Sequence, residues 1–268
     1  MPAETLAGFA AFVGTHALSV FFGLLGVLLL LVSSGGWLLR SRVLPQAQSG
    51  LRPQALVVLS AAIGFALVLG AAALFAEIAE HLGRGETMSL TDEALTAAIR
   101  NHVSATTLRV FGVLTHFGDV VTLSLLGAVV APLLWWQGRR ALALGWVIAL
   151  GGNALLNPLL KRVFERVRPV HEQGLINELG WSFPSGHTSG ATVAYGMLAY
   201  VVIRTLPAAW HGPAVLAATA LAFTVGCSRV FLQVHFASDV LAGFAAGAAW
   251  LTVCIVSVEL ARVYRQRA

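Results

Sequence analysis

Seven apolar runs, each near the length that crosses a bilayer, leave this chain few folds to choose from. They lie at about 9–32, 54–78, 118–137, 140–160, 187–204, 213–233 and 236–258. Spanning the hydrocarbon core takes roughly 20 apolar residues in an α-helix, which satisfies its own backbone hydrogen bonds without water. The chain therefore reads as an all-α, polytopic membrane helix bundle. Of 268 residues, 57% are hydrophobic and 11% charged, a balance that excludes an ordinary soluble domain. The third and fourth runs are separated only by Gln137-Gly138-Arg139-Arg140, and the last two only by a turn near His235, so each pair forms antiparallel neighbours. No Lys or Arg precedes Arg40. The first run thus lacks the basic lead of a cleaved signal peptide and reads as a retained membrane helix.

The charge distribution orients the bundle. A net charge of +5 invites a nucleic-acid partner, but no basic cluster with interleaved aromatics supports one. The arginines sit at the ends of apolar runs instead. With Arg262, Arg265 and Arg267 inside, the loops holding Arg40, Arg42 and Arg52, then Arg139 and Arg140, then Arg204, are also inside, and of all the acids only Glu259 joins them. This is the usual bias of short cytoplasmic loops. The N-terminus, the 79–117 and 161–186 connections and the turn at 234–236 then face outward, with the C-terminus in the cytoplasm. Within 88–117, apolar residues at helical spacing among Asp92, Glu93, Arg100, His102 and Arg109 predict a helix in the headgroup plane or over the bundle. Cys227 and Cys254 both lie in apolar runs, which argues against a disulfide framework or a metal site.

Three polar stretches interrupt this pattern at one membrane face. The last is Ser228-Arg229-x5-His235-x3-Asp239. On one helix His235 and Asp239 would share a face, so the carboxylate would hold one ring nitrogen protonated and free the other. A buried His–Asp pair capping a helix is the plainer reading of that stretch alone. The first stretch, Lys161-x6-Arg168-Pro169, carries basic residues on the outer side, against the orientation rule. They answer a need other than topology. Arg166 brackets the same region. The second, Pro184-Ser185-Gly186-His187, opens the fifth run, where free backbone N–H groups and the helix dipole favour an anion. Together the stretches supply cations for phosphate oxygens, an anion cradle and two imidazoles, the inventory of phosphoryl chemistry. The residues themselves leave open which histidine attacks.

The combined pattern resembles the three-part signature of the type 2 phosphatidic acid phosphatase (PAP2) superfamily, bacterial membrane lipid phosphatase branch. The motifs cover 161–239, and the surrounding runs resemble a six-helix core from about 54 to 258. Residues 9–32 are then an extra N-terminal transmembrane helix, dividing the chain into 1–53, that helix and its cytoplasmic loop, and 54–268, the phosphatase core. The resemblance implies His235 as nucleophile through a phosphohistidine, Asp239 orienting it, and His187 as acid and then base. It implies Lys161, Arg168, Ser185, Gly186 and Arg229 as phosphate ligands, with no metal or other cofactor.

The expected function is hydrolysis of a lipid phosphate monoester or diphosphate at the outer face: an isoprenyl diphosphate, phosphatidic acid or phosphatidylglycerol phosphate. Membrane lipids are the partners and nucleic acid is not. A compact bacterial chain would sit in the inner membrane with its site in the periplasm. The motifs do not separate a hydrolase from a lipid phosphotransferase using the same intermediate. A non-catalytic lipid-phosphate binder or transporter would be expected to have lost a motif residue, and none is missing. A haloperoxidase would need bound vanadate. Neither the lipid nor the oligomeric state is written in the sequence. Asn153 and Asn157 read as interhelical hydrogen-bonding residues, Gly243 and Gly247 as close-packing positions, and Trp181 as an interfacial anchor. His116 and Asp119 read as loop residues, with a supporting role behind the site possible. The orientation is checked with an impermeant thiol reagent on intact cells: a cysteine from Glu86→Cys is labelled and one from Arg140→Cys is protected.

Overall fold

The computed structural model describes residues 3–43, 53–83, 86–169 and 178–265, which contain ten α-helices. These are α1 (Ala3–Thr15), α2 (Ala17–Leu38), α3 (Pro53–Glu80), α4 (Thr87–His102), α5 (Ala105–Leu114), α6 (Val120–Trp136), α7 (Arg140–Phe164), α8 (Gly186–Thr205), α9 (His211–Phe231) and α10 (Ala237–Arg265). His171, Glu172, Arg52, Arg267 and the 170–177 part of the 161–186 connection lie outside the described residues. Among the described residues, five helical stretches are long and apolar enough to cross a membrane: Ala17–Arg42, Val58–Glu80, Arg140–Phe164, Ala208–Phe231 and Ala237–Tyr264. The pair α5–α6, bent by 40°, makes a sixth if counted as one span.

The expected crossing at 187–204 is α8, which falls short of that apolarity. It begins Gly-His-Thr-Ser-Gly, and α6, α7, α9 and α10 pack around it. A helix walled in by other helices does not face lipid, so its polar first turn is tolerated where a peripheral helix would expose it. Trp146, Val193, Met197 and Val258 are fully or nearly fully buried at the centre of this group. Glycines let the backbones close. A Cβ on Gly243 would fall 2.8 Å from the Ser185 carbonyl oxygen, and one on Gly247 2.9 Å from Thr192 Cβ, so both serve α8–α10 packing as the sequence suggests.

The N-terminal segment departs from expectation. The run at 9–32 is not one helix but breaks at His16, whose Nδ1 lies 3.1 Å from the Phe12 carbonyl oxygen. The membrane-length helix starts at Ala17, while α1 packs along α4, so closely that a Cβ on Gly14 would meet Ala98 Cβ at 2.5 Å. The rest of α2 docks on α9 through Phe21, which packs with Phe111, Phe223 and Phe231. The 88–117 segment is likewise two helices, broken at Val103–Ser104, where Ser104 accepts a 3.2 Å hydrogen bond from Thr107 N and caps α5. Asp92, Thr96 and Ile99 form the buried face of α4.

A second aromatic group fixes the approach to the polar end. Phe183 packs on Phe75 of α3 at 5.3 Å and on Phe164 of α7 at 5.1 Å, ring centre to ring centre. It is fully buried and places Pro184 and Ser185 at the head of α8. The close α8–α10 seam carries a prediction. Gly243→Val forces the Ser185 carbonyl and α10 apart, and overpacking of this kind costs about 1–3 kcal/mol. Thermal unfolding in detergent is expected to show a lowered transition temperature.

Candidate active site

The three polar stretches converge at the end of the bundle where α7 and α9 finish and α8 and α10 begin. His235 is 1% exposed and lies in the turn between α9 and α10. It is not on a helix with Asp239, as the spacing suggested. Instead α10 starts at Ala237, and Asp239 Oδ2 accepts from Phe236 N at 3.0 Å and pairs with His235 Nδ1 at 3.3 Å. The other ring nitrogen, Nε2, lies 3.1 Å from Arg168 Nη1. A guanidinium only donates, so Nε2 is the acceptor and the ring proton sits on Nδ1, toward Asp239. One nitrogen thus keeps its lone pair, the state a nucleophile requires.

The remaining motif residues divide into those that line a cavity and those behind it. A cavity of about 500 Å³ is walled by Lys161, Arg168, Gly186, His187 and His235, together with Glu178. Its wall also includes Val120 and Ser124 of α6 and Gly151 and Ala154 of α7, all exposed, so it reaches the outer surface of the bundle between these helices. Ser185, Arg229 and Asp239 stand behind it. Ser185 Oγ is occupied in capping α8, accepting from Thr188 N at 3.4 Å and from Thr188 Oγ1 at 2.9 Å. Arg229 is 1% exposed, donates to Thr115 Oγ1 at 2.8 Å and to Glu178, and its Nε has no partner among the described residues. Lys161 donates to the Trp181 carbonyl at 2.8 Å. Gly186 has a steric reason: a Cβ there would fall 2.8 Å from Asn157 Oδ1. Asn157 itself bonds across helices to Pro184 O and Ser189 Oγ, both at 3.4 Å.

Four further residues complete the arrangement. Asp119 accepts from His187 Nε2 at 2.7 Å and from His116 Nδ1 at 2.6 Å, so the loop pair does stand behind the site. Glu178 bonds Arg229 and lies 3.7 Å from Arg168, placing a carboxylate between two cations. Burial works against that carboxylate, but Arg229's charge and hydrogen bond outweigh it and hold its pKa below the ordinary value. Arg166 donates to Asp239 at 2.6 Å and to Asp92 at 2.9 Å. Asp92 is 146 positions from its partner Ser238, and only its charge within an apolar pattern marked it in the sequence. Burial raises its pKa despite hydrogen bonds from Ser238 and the charge of Arg166.

Residues 140–262 match the model of the PAP2 superfamily. Phosphatidylglycerophosphatase B of Bacillus subtilis is 37% identical over 136 residues, covering 50% of this chain and 66% of that protein. Decaprenylphosphoryl-5-phosphoribose phosphatase of Mycobacterium tuberculosis is 32% identical over 145 residues, 50% of this chain and 71% of that protein. The crystal structure of a transmembrane PAP2-type phosphatidylglycerolphosphate phosphatase from Bacillus subtilis superposes with a TM-score of 0.64 at 31% identity, over 73% of this chain and 96% of that one. The chain belongs to the PAP2 superfamily, among its integral-membrane lipid phosphatases.

Burial lowers the pKa of His235 from the ordinary 6.5 to about 4, against the hydrogen bond and charge of Asp239, with Arg168 and Arg229 adding to the fall. The folded state keeps the ring neutral where the unfolded chain takes up a proton. Its contribution to stability is therefore complete above pH 6.5 and is lost as the pH falls toward about 4. Thermal unfolding in detergent across this range is expected to show a falling transition temperature. The slope should be shallower in a His235→Asn variant.

Proposed function

We propose that this chain hydrolyses a phosphate monoester or diphosphate of a membrane lipid at the outer face of a bacterial inner membrane, through a phosphohistidine on His235. One observation carries the reading. Arg168 and Asp239 hold His235 between them with the ring proton on Nδ1, and the ring lines a cavity that opens between α6 and α7.

The steps follow from the residues around that cavity. The incoming phosphate displaces the Glu178 carboxylate from Arg168 and Arg229, and Lys161 and the N–H groups at the head of α8 neutralise the remaining oxygens. Arg168 turns from Nε2 to a phosphate oxygen, releasing the lone pair. Nε2 attacks phosphorus and the bond to the lipid oxygen breaks. His187 protonates that oxygen, with Asp119 supporting its charged form against the burial and the Arg229 charge that disfavour it. Because Nε2 of His187 is held by Asp119, Nδ1 is the nitrogen that transfers the proton. His187, now neutral, takes a proton from water as its oxygen attacks phosphorus, the P–N bond breaks and orthophosphate leaves. Transfer to an acceptor lipid would differ only in which hydroxyl enters at that step.

The shape of the site favours an amphiphile. Apolar and small residues of α6 and α7 flank the opening, a surface suited to an acyl or isoprenyl chain, while the cations lie at its head. The names of the relatives point the same way, one to phosphatidylglycerol phosphate and one to a decaprenyl-linked phosphate. In this reading residues 54–268 form the phosphatase core and residues 1–53 an addition to it.

Phosphate release from phosphatidylglycerol phosphate, phosphatidic acid, an isoprenyl diphosphate and a soluble sugar phosphate is the test, with EDTA present and His235→Ala beside it. Release is expected from one or more lipids, unaffected by EDTA, negligible from the sugar phosphate, and more than about 10³-fold lower in the variant, since removing a nucleophile leaves little catalysis. Comparable release by folded His235→Ala protein would remove the histidine from the mechanism.

A further inference from the structure

Arg166 lies two residues past the end of α7, whose last turn carries Lys161 and Arg162, yet it does not line the cavity that holds His187 and His235. Its guanidinium turns the other way. Nη1 donates to Asp239 Oδ1 at 2.6 Å and to Ser238 Oγ at 2.7 Å, and Nη2 donates to Asp92 Oδ2 at 2.9 Å. The plane of the group lies over the Phe236 ring, 4.3 Å from its centre. Asp92 reaches from α4 to the same turn, accepting from Ser238 N at 3.2 Å and from Ser238 Oγ.

We propose that Arg166 and Asp92 are positioning residues for the His235–Asp239 pair, with Arg166 bridging two carboxylates so that Asp239 is fixed where His235 needs it. The proposal rests on His235 acting as the nucleophile. The oxygens of Asp239 are divided between tasks: Oδ2 serves the imidazole and Phe236 N, while Oδ1 belongs to Arg166. The carboxylate cannot rotate toward Arg166 without leaving His235. The His235–Asp239 contact is 3.3 Å long, so its alignment depends on where the carboxylate is held rather than on its own strength. A planar fork can grip two carboxylates at once and an ammonium cannot. Asp92 gives the fork its second anchor and pins Ser238 in the first turn of α10. Asp92 lies outside the 140–262 stretch that matches the family model, on a helix held by α1. The part of the chain before residue 140 thereby reaches the His235–Asp239 pair through Asp92, as it reaches His187 through Asp119 and Arg229 through Thr115.

The charge balance gives this role a signature. His235 is faced by Asp239 from α10, Arg168 from the 161–186 connection and Arg229 from α9, with Glu178 and Lys161 beyond them. Removing Arg166 leaves Asp239 less neutralised, so it binds a proton on His235 more firmly and the nucleophile is lost at higher pH. Arg166 also borders a second cavity, of about 830 Å³, on the α4 side of the same segment. A free guanidinium ion has a route to the gap left by Arg166→Ala.

Purified Arg166→Ala, Arg166→Lys and Asp92→Asn proteins are compared with wild type and His235→Ala on phosphatidylglycerol phosphate in detergent micelles. Arg166→Ala is expected to lower kcat by about 100-fold, the scale of a misplaced catalytic group, with KM little changed. Its acidic limb moves to higher pH, and millimolar guanidinium, but not urea, restores part of the rate. Arg166→Lys falls between it and wild type, and Asp92→Asn loses kcat to a smaller degree. A wild-type kcat in folded Arg166→Ala overturns the proposal, as does a loss with no shift in the acidic limb and no guanidinium rescue. Where Arg166→Ala is not recovered folded, Arg166→Lys decides: a raised acidic limb supports the role and an unmoved one ends it. Activity in His235→Ala would instead defeat the nucleophile reading on which this one stands.

Discussion

An ionised carboxylate with no exposed surface, Asp239, is the constraint around which the polar end of this bundle is built. Such a charge is stable away from water only if its lone pairs are filled and a counter-charge is close. Here Arg166, the His235 ring and the Phe236 amide do this together. Each then imposes a placement. Arg166 needs Asp92, which needs α4 against the bundle. His235 must enter before the helix rather than on it, since only there do its ring and the amide of Phe236 both reach one oxygen. Ser185 N donates to the Asp239 carbonyl at 3.0 Å, which ties the head of α8 to the same point. The head of α8 and the His235 turn are thus held by one residue's two ends.

The cations tell a related story. Arg166 has Asp92 and Asp239, and Arg168 and Arg229 share Glu178, whereas Lys161 turns to a main-chain carbonyl. Positive charges gathered for a phosphate would repel one another in its absence. Glu178 relieves that repulsion, and under the proposed function it holds the guanidiniums near the positions a phosphate takes. Exchange of one anion for another is cheaper than desolvating cations afresh, because the charges are already withdrawn from water.

What the sequence revealed was chemistry that is local in the chain. Lys161, Arg168, the 185–187 segment, Arg229, His235 and Asp239 announce themselves as interruptions in apolar surroundings, and the structure brings five of the eight to one cavity with the others directly behind. The i, i+4 spacing of His235 and Asp239 correctly paired them for a partly wrong reason: a turn running into a helix cap gives the same contact as a helix face. Arg166 was visible but sat among other arginines, and nothing local says which guanidinium faces the substrate and which faces away. Asp92 depends on a contact across 146 positions, which no short pattern encodes. The break at His16 was hidden because apolarity cannot distinguish a helix that crosses a bilayer from one that packs on a neighbour. Small residues such as Gly14 decide that, through how closely α4 can approach.

The location of the cavity mouth constrains what reaches it. The polar head of the site is enclosed by α8, the 161–186 connection and the turn at 232–236, whereas its apolar side is bounded by Val120, Ser124, Gly151 and Ala154, which are exposed on the bundle's surface. Small residues on α7 leave that side open where leucines elsewhere on the helix would fill it. Under the proposed function this opening faces hydrocarbon, so a ligand with a chain keeps that chain in lipid while its phosphate enters. A fully soluble phosphate gains nothing from such a wall. The same geometry that makes the buried charges costly, an apolar wall beside a charged cavity, favours in the proposed function a molecule that presents its phosphate from an apolar chain.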